Sequence, residues 1–409
     1  MSLADARALD AADPLAAFRD RFALPEGVIY LDGNSLGPLP LAAREAVART
    51  VDVEWGAGLI RSWNDAGWIA APRRVGGKIA RLIGAEADEV VVADSTSVNL
   101  FKLAAAALRA RPGRRVILTE TGNFPTDLYM AGGLAALLPG VEVRALPTAR
   151  IAEGLGDDVA LLQLSHVHYK TADRVDMAGL TAAAQAVGAL TLWDLSHSAG
   201  AIEVDLNGCN ADLAVGCGYK FLNGGPGAPA FLFVARRHQA QLTSPLSGWM
   251  GHAAPFDFSD DYQPAPGVDR FLCGTPAMLS LAALEAGVDL ALEVPAAALA
   301  AKAASLSALF VGAVEAMCAG QGLTLVTARD PAARGSHVAF AHPEGYRVMQ
   351  ALIERGVIGD FREPDIMRFG VTPLYLSHED MWRAAQTLYD VLTTGAWRRQ
   401  SPRAAGRVT

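Results

Sequence analysis

The stretch GCGYKFLNGGPG, residues 216–227, sets one lysine, Lys220, between Tyr219 and Phe221 in otherwise uncharged, glycine-rich surroundings. Desolvating an ammonium is costly, so a lysine placed there needs a partner or a task. Upstream, the apolar run ALTLW ends in Asp194. Read singly, Asp194 also suits a turn or a helix cap, and Lys220 also suits a surface lysine with an apolar stem. Together they suit pyridoxal phosphate. That cofactor needs an amine to hold its aldehyde as a Schiff base and a carboxylate to keep its pyridine nitrogen protonated.

A phosphate needs its own cradle. The segment ADSTSVNL puts Ser95, Thr96 and Ser97 between a predicted strand and a predicted helix, where hydroxyls and free backbone N–H groups bind an anion. Simple N-capping is the other reading of the same residues. In GNFPTD, Phe124 could stack on a pyridine face, Pro125 and Thr126 continue the turn, and Asp127 could orient a hydroxyl or an amine.

The elements that must position these residues form a series. EVVVAD, RVILTE, VEVRAL, DVALLQLSHV, LTLWDLS, ADLAVGC and APAFLFV are short apolar runs. Alanine-rich helical patterns alternate with most of them, which predicts an α/β domain with a mostly parallel sheet covered on both faces. Ligands of such sheets lie beyond the carboxyl ends of the strands, where these candidates fall. Past a loop-rich stretch over 238–275 come two long helical patterns, then strand and helix patterns of a smaller α+β domain. The expected division is an N-terminal segment 1–60 packing with the small domain, a large domain 61–275 and a small domain 276–409.

The 409 residues carry a net charge of −8, from 43 acidic and 35 basic side chains. That balance argues against nucleic acid or an anionic membrane as partner. The N-terminus has no signal-peptide pattern, and VPAAALAAKAASLSALFVGAVEAM, interrupted by Lys302 and Glu315, is read as a core helix and not a membrane span. Cys209, Cys217, Cys273 and Cys318 have no zinc spacing, so no metal is expected, and they fit a cytoplasmic, reducing compartment. The basic tail AWRRQSPRAAGRVT is read as a frayed terminus.

Longer blocks carry a resemblance: LDGNSLGPLP (31–40), IRSWNDAGW (60–68), DSTSVNLFK (94–102), NFPTD (123–127), WDLSHSAGAIEVDL (193–206), GCGYKFLNGGPG, GWMGH (248–252), FLCGTP (271–276) and MRFGVTPLYLS (367–377). In them the chain resembles the kynureninase family, fold type I pyridoxal-phosphate enzymes of the aminotransferase class V group. The resemblance spans nearly the whole chain and implies the aspartate aminotransferase-like fold. It implies Lys220 as the Schiff-base lysine that also moves the α-proton, Asp194 at the pyridine nitrogen, and His197 near the phenolic oxygen. Phe124 stacks on the ring, Asp127 and Thr171 lie at the cofactor, and Thr96, Ser97 and Tyr219 reach the phosphate. Trp249 and Thr275 close the phosphate end from the neighbouring subunit of a homodimer, and Arg368 clamps the substrate's α-carboxylate. Asn34, Ser35, Trp63 and Gly274 are further substrate-site candidates.

The implied reaction is hydrolysis of L-kynurenine to anthranilate and L-alanine in tryptophan catabolism, with Tyr219 or Lys220 protonating the product carbon. The apolar, small surroundings of Trp63, Gly274 and Thr275 favour kynurenine over its 3-hydroxy form. Two alternatives stand beside this reading. A cysteine desulfurase-like lyase would need a reactive cysteine on a mobile loop, whereas Cys318 lies in a helical pattern. A non-catalytic cofactor-binding regulator would have no need of the full residue set.

Overall fold

The computed structural model describes residues 2–402; the last part of the basic tail, 403–409, and the expectation that it frays lie outside the described residues. The chain divides into two compact units. The larger comprises Ala43–His166 and Val175–Leu292, and the other the chain up to Ala42, Val167–Arg174 and the chain from Glu293.

These boundaries differ from those expected at 60 and 275. The helix Met278–Leu292 stays with the larger unit because it packs on the helix Ala71–Leu82, burying Leu281, Leu284 and Val288 against that unit's core. Residues 43–60 stay with it too, since the turn Thr50–Gly58 meets the same Met278–Leu292 helix. The strap Val167–Arg174 belongs to the smaller unit, where Arg174 N donates to Ala333 O at 2.9 Å.

The larger unit is built on a seven-stranded sheet. Its order is Val90–Val92, Phe231–Val234, Leu213–Gly216, Leu190–Asp194, Val159–Ser165, Val116–Glu120, Glu142–Leu146. Only Phe231–Val234 runs against its neighbours; it is antiparallel to both Leu213–Gly216 and Val90–Val92. The inner strands are buried along their whole length, as continuous apolar runs require when helices cover both faces. The helix Thr96–Ala110 covers one face through Leu100, Leu103 and Ala107. Ala71–Leu82, Met177–Ala186 and Met278–Leu292 cover the other. Asp194 therefore ends the central strand of the seven.

The smaller unit has an antiparallel sheet, Asp360–Arg362, Ile366–Gly370, His337–Ala341, Thr324–Leu325, and a parallel pair of Ile29–Tyr30 with Val357–Ile358. Its core includes Phe310, Phe340 and Phe369, whose ring centroids lie 5.0 to 6.5 Å apart. The helix Ala296–Met317 is long and apolar enough to cross a bilayer by length and composition. It packs on the helix His378–Thr393, and its Lys302 is paired with Asp13 at 2.6 Å. The tail departs from the frayed expectation over Ala396–Arg399, a short helical turn against Gly345–Ile353.

One buried charge ties the loop after Val90–Val92 to the helix Thr96–Ala110 and to the turn Gly267–Phe271. Lys102, fully buried, bonds the Asp94 carboxylate and donates to Phe271 O at 2.7 Å. Asp94 has φ +49°, a left-handed conformation that Asp and Asn tolerate better than most residues. Asp94→Asn keeps that backbone but strands the Lys102 ammonium. It should destabilise the protein by about 3 kcal/mol, the low end for breaking a buried pair. Lys102→Met should cost less, since Asp94 reaches solvent. Urea-unfolding midpoints of the two variants check the order.

Candidate active site

Asp194 is pinned through its backbone. His166 N donates to Asp194 O at 3.0 Å, and Leu195 N donates to Val215 O at 2.8 Å. Its Oδ1 accepts from Ser196 N at 2.7 Å, so it does make a turn while also facing the strand end. Burial raises its pKa, while Ser196 and Lys220 pull it back. Lys220 Nζ lies 3.0 Å from His197 Nε2. It stands over the Phe124 ring at 5.8 Å from the centroid and over Tyr219 at 5.9 Å, within reach of a cation–π attraction. Burial, then Cys217 and Asp194, push the Tyr219 hydroxyl well above the ordinary phenol range.

The glycines of 216–227 serve this packing. A Cβ on Gly218 would stand 2.4 Å from Pro229 O, so only glycine lets the turn that carries Lys220 lie this close to the neighbouring chain.

Phe124 immediately precedes the helix Pro125–Leu137, with Pro125 and Thr126 as its first residues. Its ring is 39% exposed. Asp127, in the first turn, is buried, and both its carboxylate oxygens lack a hydrogen-bond partner. Burial, then the Asp194 charge, raise its pKa well above the usual carboxylate value. Asn123 was missed in the sequence although it lies inside the GNFPTD block. Its Oδ1 accepts from Phe124 N and from Ser165 Oγ, both at 2.7 Å, and so fixes the turn that presents Phe124. Asp94 and Lys102 were missed likewise, at the two ends of DSTSVNLFK.

Thr96 and Ser97 are the first residues of the helix Thr96–Ala110, and Ser95 caps it by accepting from Val98 N at 3.4 Å. The first turn of a helix leaves N–H donors without intrahelical acceptors. Gly274 and Thr275 line a cavity of about 230 Å³ together with Asp94, Pro229 and Cys273. Trp249 stacks with Phe258 at 6.2 Å and meets Phe256 edge-on at 5.5 Å. Trp63 meets Trp68 edge-on at 5.8 Å. These contacts tie neither tryptophan to the Lys220 group.

In the smaller unit, Arg368, Ser35 and Asn34 come together. Arg368 is buried and doubly paired with Asp360, its Nε donating to Oδ1 at 2.7 Å and its second amino group to Oδ2. It also donates to Ser35 Oγ at 3.0 Å and to Tyr169 O. Asn34 is buried against Gly370, where a Cβ would stand 2.2 Å from Asn34 Oδ1. Thr171, in the strap Val167–Arg174, donates to Asp173 Oδ2 at 2.7 Å and lies 3.2 Å from His168 Nδ1.

A sequence profile described as "Kynureninase C-terminal domain" matches residues 299–388. A protein named kynureninase from Burkholderia mallei (strain SAVP1) is 54% identical over 400 residues, 96% of each chain. Another from Pseudomonas fluorescens is 52% identical over 399 residues, again 96% of each. The chain belongs to the kynureninase family. Solved structures share its fold at lower identity. A C-DES mutant with glycine covalently linked to its PLP-cofactor matches with TM-score 0.79 and 18% identity, over 90% of this chain and 98% of its own. The cysteine desulfurase CsdA from Escherichia coli matches with TM-score 0.78 and 19% identity, over 93% and 98%.

The desulfurase alternative is not favoured for this member of the kynureninase family. Cys318 is buried at the end of the helix Ala296–Met317, and burial pushes its thiol up to about 11, so it is not a ready thiolate nucleophile.

The unpartnered Asp127 carboxylate has a consequence for stability. Its folded pKa lies above the unfolded value of 3.8, so the folded state binds more protons, and stability falls as pH rises from that value through the folded pKa. Asp127→Asn should stabilise the cofactor-free protein at pH 8 by about 1–3 kcal/mol, because the amide stays neutral while the buried carboxyl resists ionisation, at about 1.4 kcal/mol for each tenfold change in proton affinity. The gain should shrink toward pH 4. Denaturant midpoints across that range check it.

Proposed function

We propose that this member of the kynureninase family hydrolyses the Cβ–Cγ bond of L-kynurenine to give anthranilate and L-alanine, with pyridoxal 5′-phosphate. The observation that carries the reading is the charge pattern at Lys220. Two buried carboxylates, Asp127 and Asp194, share the influence of that one ammonium, and Asp127 has no hydrogen-bond partner on either oxygen. A protonated pyridine nitrogen is a cation suited to such a pair, and the exposed face of Phe124 beneath Lys220 suits a ring. The residue set therefore fits the cofactor.

In this reading Lys220 holds the aldehyde, Asp194 the pyridine nitrogen beside Asp127, and Phe124 the ring face. Thr96, Ser97 and Tyr219 hold the phosphate. Bound there, pyridoxal phosphate supplies an electron sink for the carbanion at the substrate's α-carbon. His197 Nε2 orients Lys220 Nζ by the 3.0 Å contact, and Nζ is the amine that would move the substrate's α-proton. Tyr219, kept protonated by burial and its neighbours, is an O–H donor for the phosphate or, like Lys220, for the product carbon. Arg368 receives the α-carboxylate, near Asn34 and Ser35, which fixes the Cα–H direction. Trp63, Gly274 and Thr275 border the aryl ring and favour kynurenine over 3-hydroxykynurenine, since they give a buried hydroxyl no ready partner. The four cysteines are free, in keeping with a cytoplasmic enzyme.

Purified protein supplied with pyridoxal phosphate and L-kynurenine should release anthranilate and alanine in equal amounts. Lys220→Ala should lower turnover by at least about 10²–10⁴-fold, and borohydride should attach the pyridoxyl group to Lys220 in the parent protein. A label on Lys102 or Lys170, or no anthranilate, would sink the reading.

The same reading makes the active species a homodimer in which Trp249 and Thr275 serve the partner's site. The support is exposure: Trp249 is 41% exposed beside Phe256 and Phe258, at 59% and 74%. Mixing inactive Lys220→Ala and Trp249→Ala proteins under subunit exchange should restore activity, because a heterodimer then carries one intact site. No recovery despite proven exchange means that each chain builds its site alone.

A further inference from the structure

Around Arg368 the smaller unit buries more charge than one carboxylate clamp needs. Asp360 is held between two guanidiniums, doubly by Arg368 and by Arg362 at 2.8 Å. Burial works against its charge, but Arg368 and Arg362 outweigh that and hold it at about 2. Ser35 Oγ donates to Asp360 Oδ2 at 2.7 Å and accepts from Arg368. A second carboxylate, Asp32, faces the same cluster with Oδ1 buried and without a hydrogen-bond partner. Burial, then the Asp360 charge, push it up to about 7.

The other titratable groups facing Asp32 are Tyr30 and Tyr375, both raised by burial and so neutral. His337, which faces Arg368, is lowered by burial and Arg368 to about 3, and is neutral as well. With Asp32 ionised, two guanidiniums meet two carboxylates and the cluster is neutral. With Asp32 protonated it carries one positive charge. Of the five N–H donors of Arg368, four are already taken, by Asp360, Ser35 and Tyr169 O. An incoming carboxylate must therefore compete for donors as well as for charge.

We propose that Asp32 is a positioning residue that takes up one proton when the substrate's α-carboxylate binds Arg368, so that the cluster is a proton-coupled receptor for amino-acid carboxylates. The inference rests on the assignment of Arg368 to the α-carboxylate. The anion binds the form with Asp32 protonated, which prevails below about pH 7, and affinity falls as pH rises above it.

The probe is 4-(2-aminophenyl)-4-oxobutanoate, the substrate without its α-amine, used as a competitive inhibitor of the holoenzyme. Its inhibition constant should rise by about tenfold from pH 6.5 to pH 8.5, an ordinary linkage coupling. In Asp32→Asn, whose amide mimics the protonated acid, the constant should stay flat and tight; titration elsewhere in the holoenzyme is common to both proteins. An Asp32→Asn slope equal to that of the parent overturns the proposal. Arg368→Ala should lose the inhibitor at every pH; unchanged inhibition there overturns instead the assignment on which the proposal stands. Should Asp32→Asn fail to fold, calorimetry of the parent holoenzyme in two buffers of different ionisation enthalpy reads the proton directly. Uptake of about one proton per inhibitor near pH 8 supports the proposal, and none overturns it.

Discussion

A buried carboxylate without a counter-charge is the constraint around which the larger unit is arranged. Asp127 and Asp194 are both taken out of water, and the Asp194 charge adds to the cost of ionising Asp127. Removing an ion from water costs several kcal/mol even after relaxation, and only a close opposite charge with good hydrogen bonds offsets it. Lys220 is the one cation whose influence both carboxylates share. The sheet tolerates this because its strands are buried end to end and hold Asp194 through backbone bonds from both sides. A fold stable enough to keep that imbalance is a fold prepared for a cation.

The smaller unit handles charge differently. There two guanidiniums and two carboxylates lie together, and the pairing is strong enough to hold Asp360 low while leaving Asp32 high. Tight packing makes this possible: a Cβ on Gly33 would stand 2.3 Å from the Tyr375 hydroxyl, so the Asp32–Ser35 turn lies directly on that side chain. The GNS triplet is thus legible as chemistry at one end, through Ser35, and as close approach at the other, through Gly33.

Much of this could be read from the sequence, for identifiable reasons. Apolar runs at strand length gave the strands of the main sheet, and Asp194 and Lys220 stood out because charge in an apolar or glycine-rich setting is conspicuous. Direction is not written in such runs, so nothing marked Phe231–Val234 as reversed. A helical pattern likewise does not say which sheet it will cover, and Met278–Leu292 was assigned to the wrong side of a boundary. Nothing in the helical pattern around Lys102 marks it as buried, since its partners are Asp94 and, far off in the chain, Phe271. Asp360 gave no signal, because a carboxylate in a strand pattern does not show that it will pair with Arg368 on the neighbouring strand and with Ser35, more than three hundred residues away.

The likeness to C-DES and to the cysteine desulfurase CsdA shows what a fold does and does not carry. At 18–19% identity the backbone matches over nine-tenths of the chain, yet fold alone does not choose a reaction. A desulfurase needs a thiolate that can reach its substrate, and the thiol in the smaller unit, Cys318, is buried and pushed up to about 11. What this unit offers is a dense charged cluster on the Asp32–Ser35 turn and two adjacent strands. In that cluster four of the five Arg368 N–H donors are already engaged, and no thiol takes part. At the end of the central strand the larger unit gathers a lysine, a histidine and two buried carboxylates, and burial pushes the neighbouring Cys217 thiol up, so that set offers proton transfer and no ready thiolate.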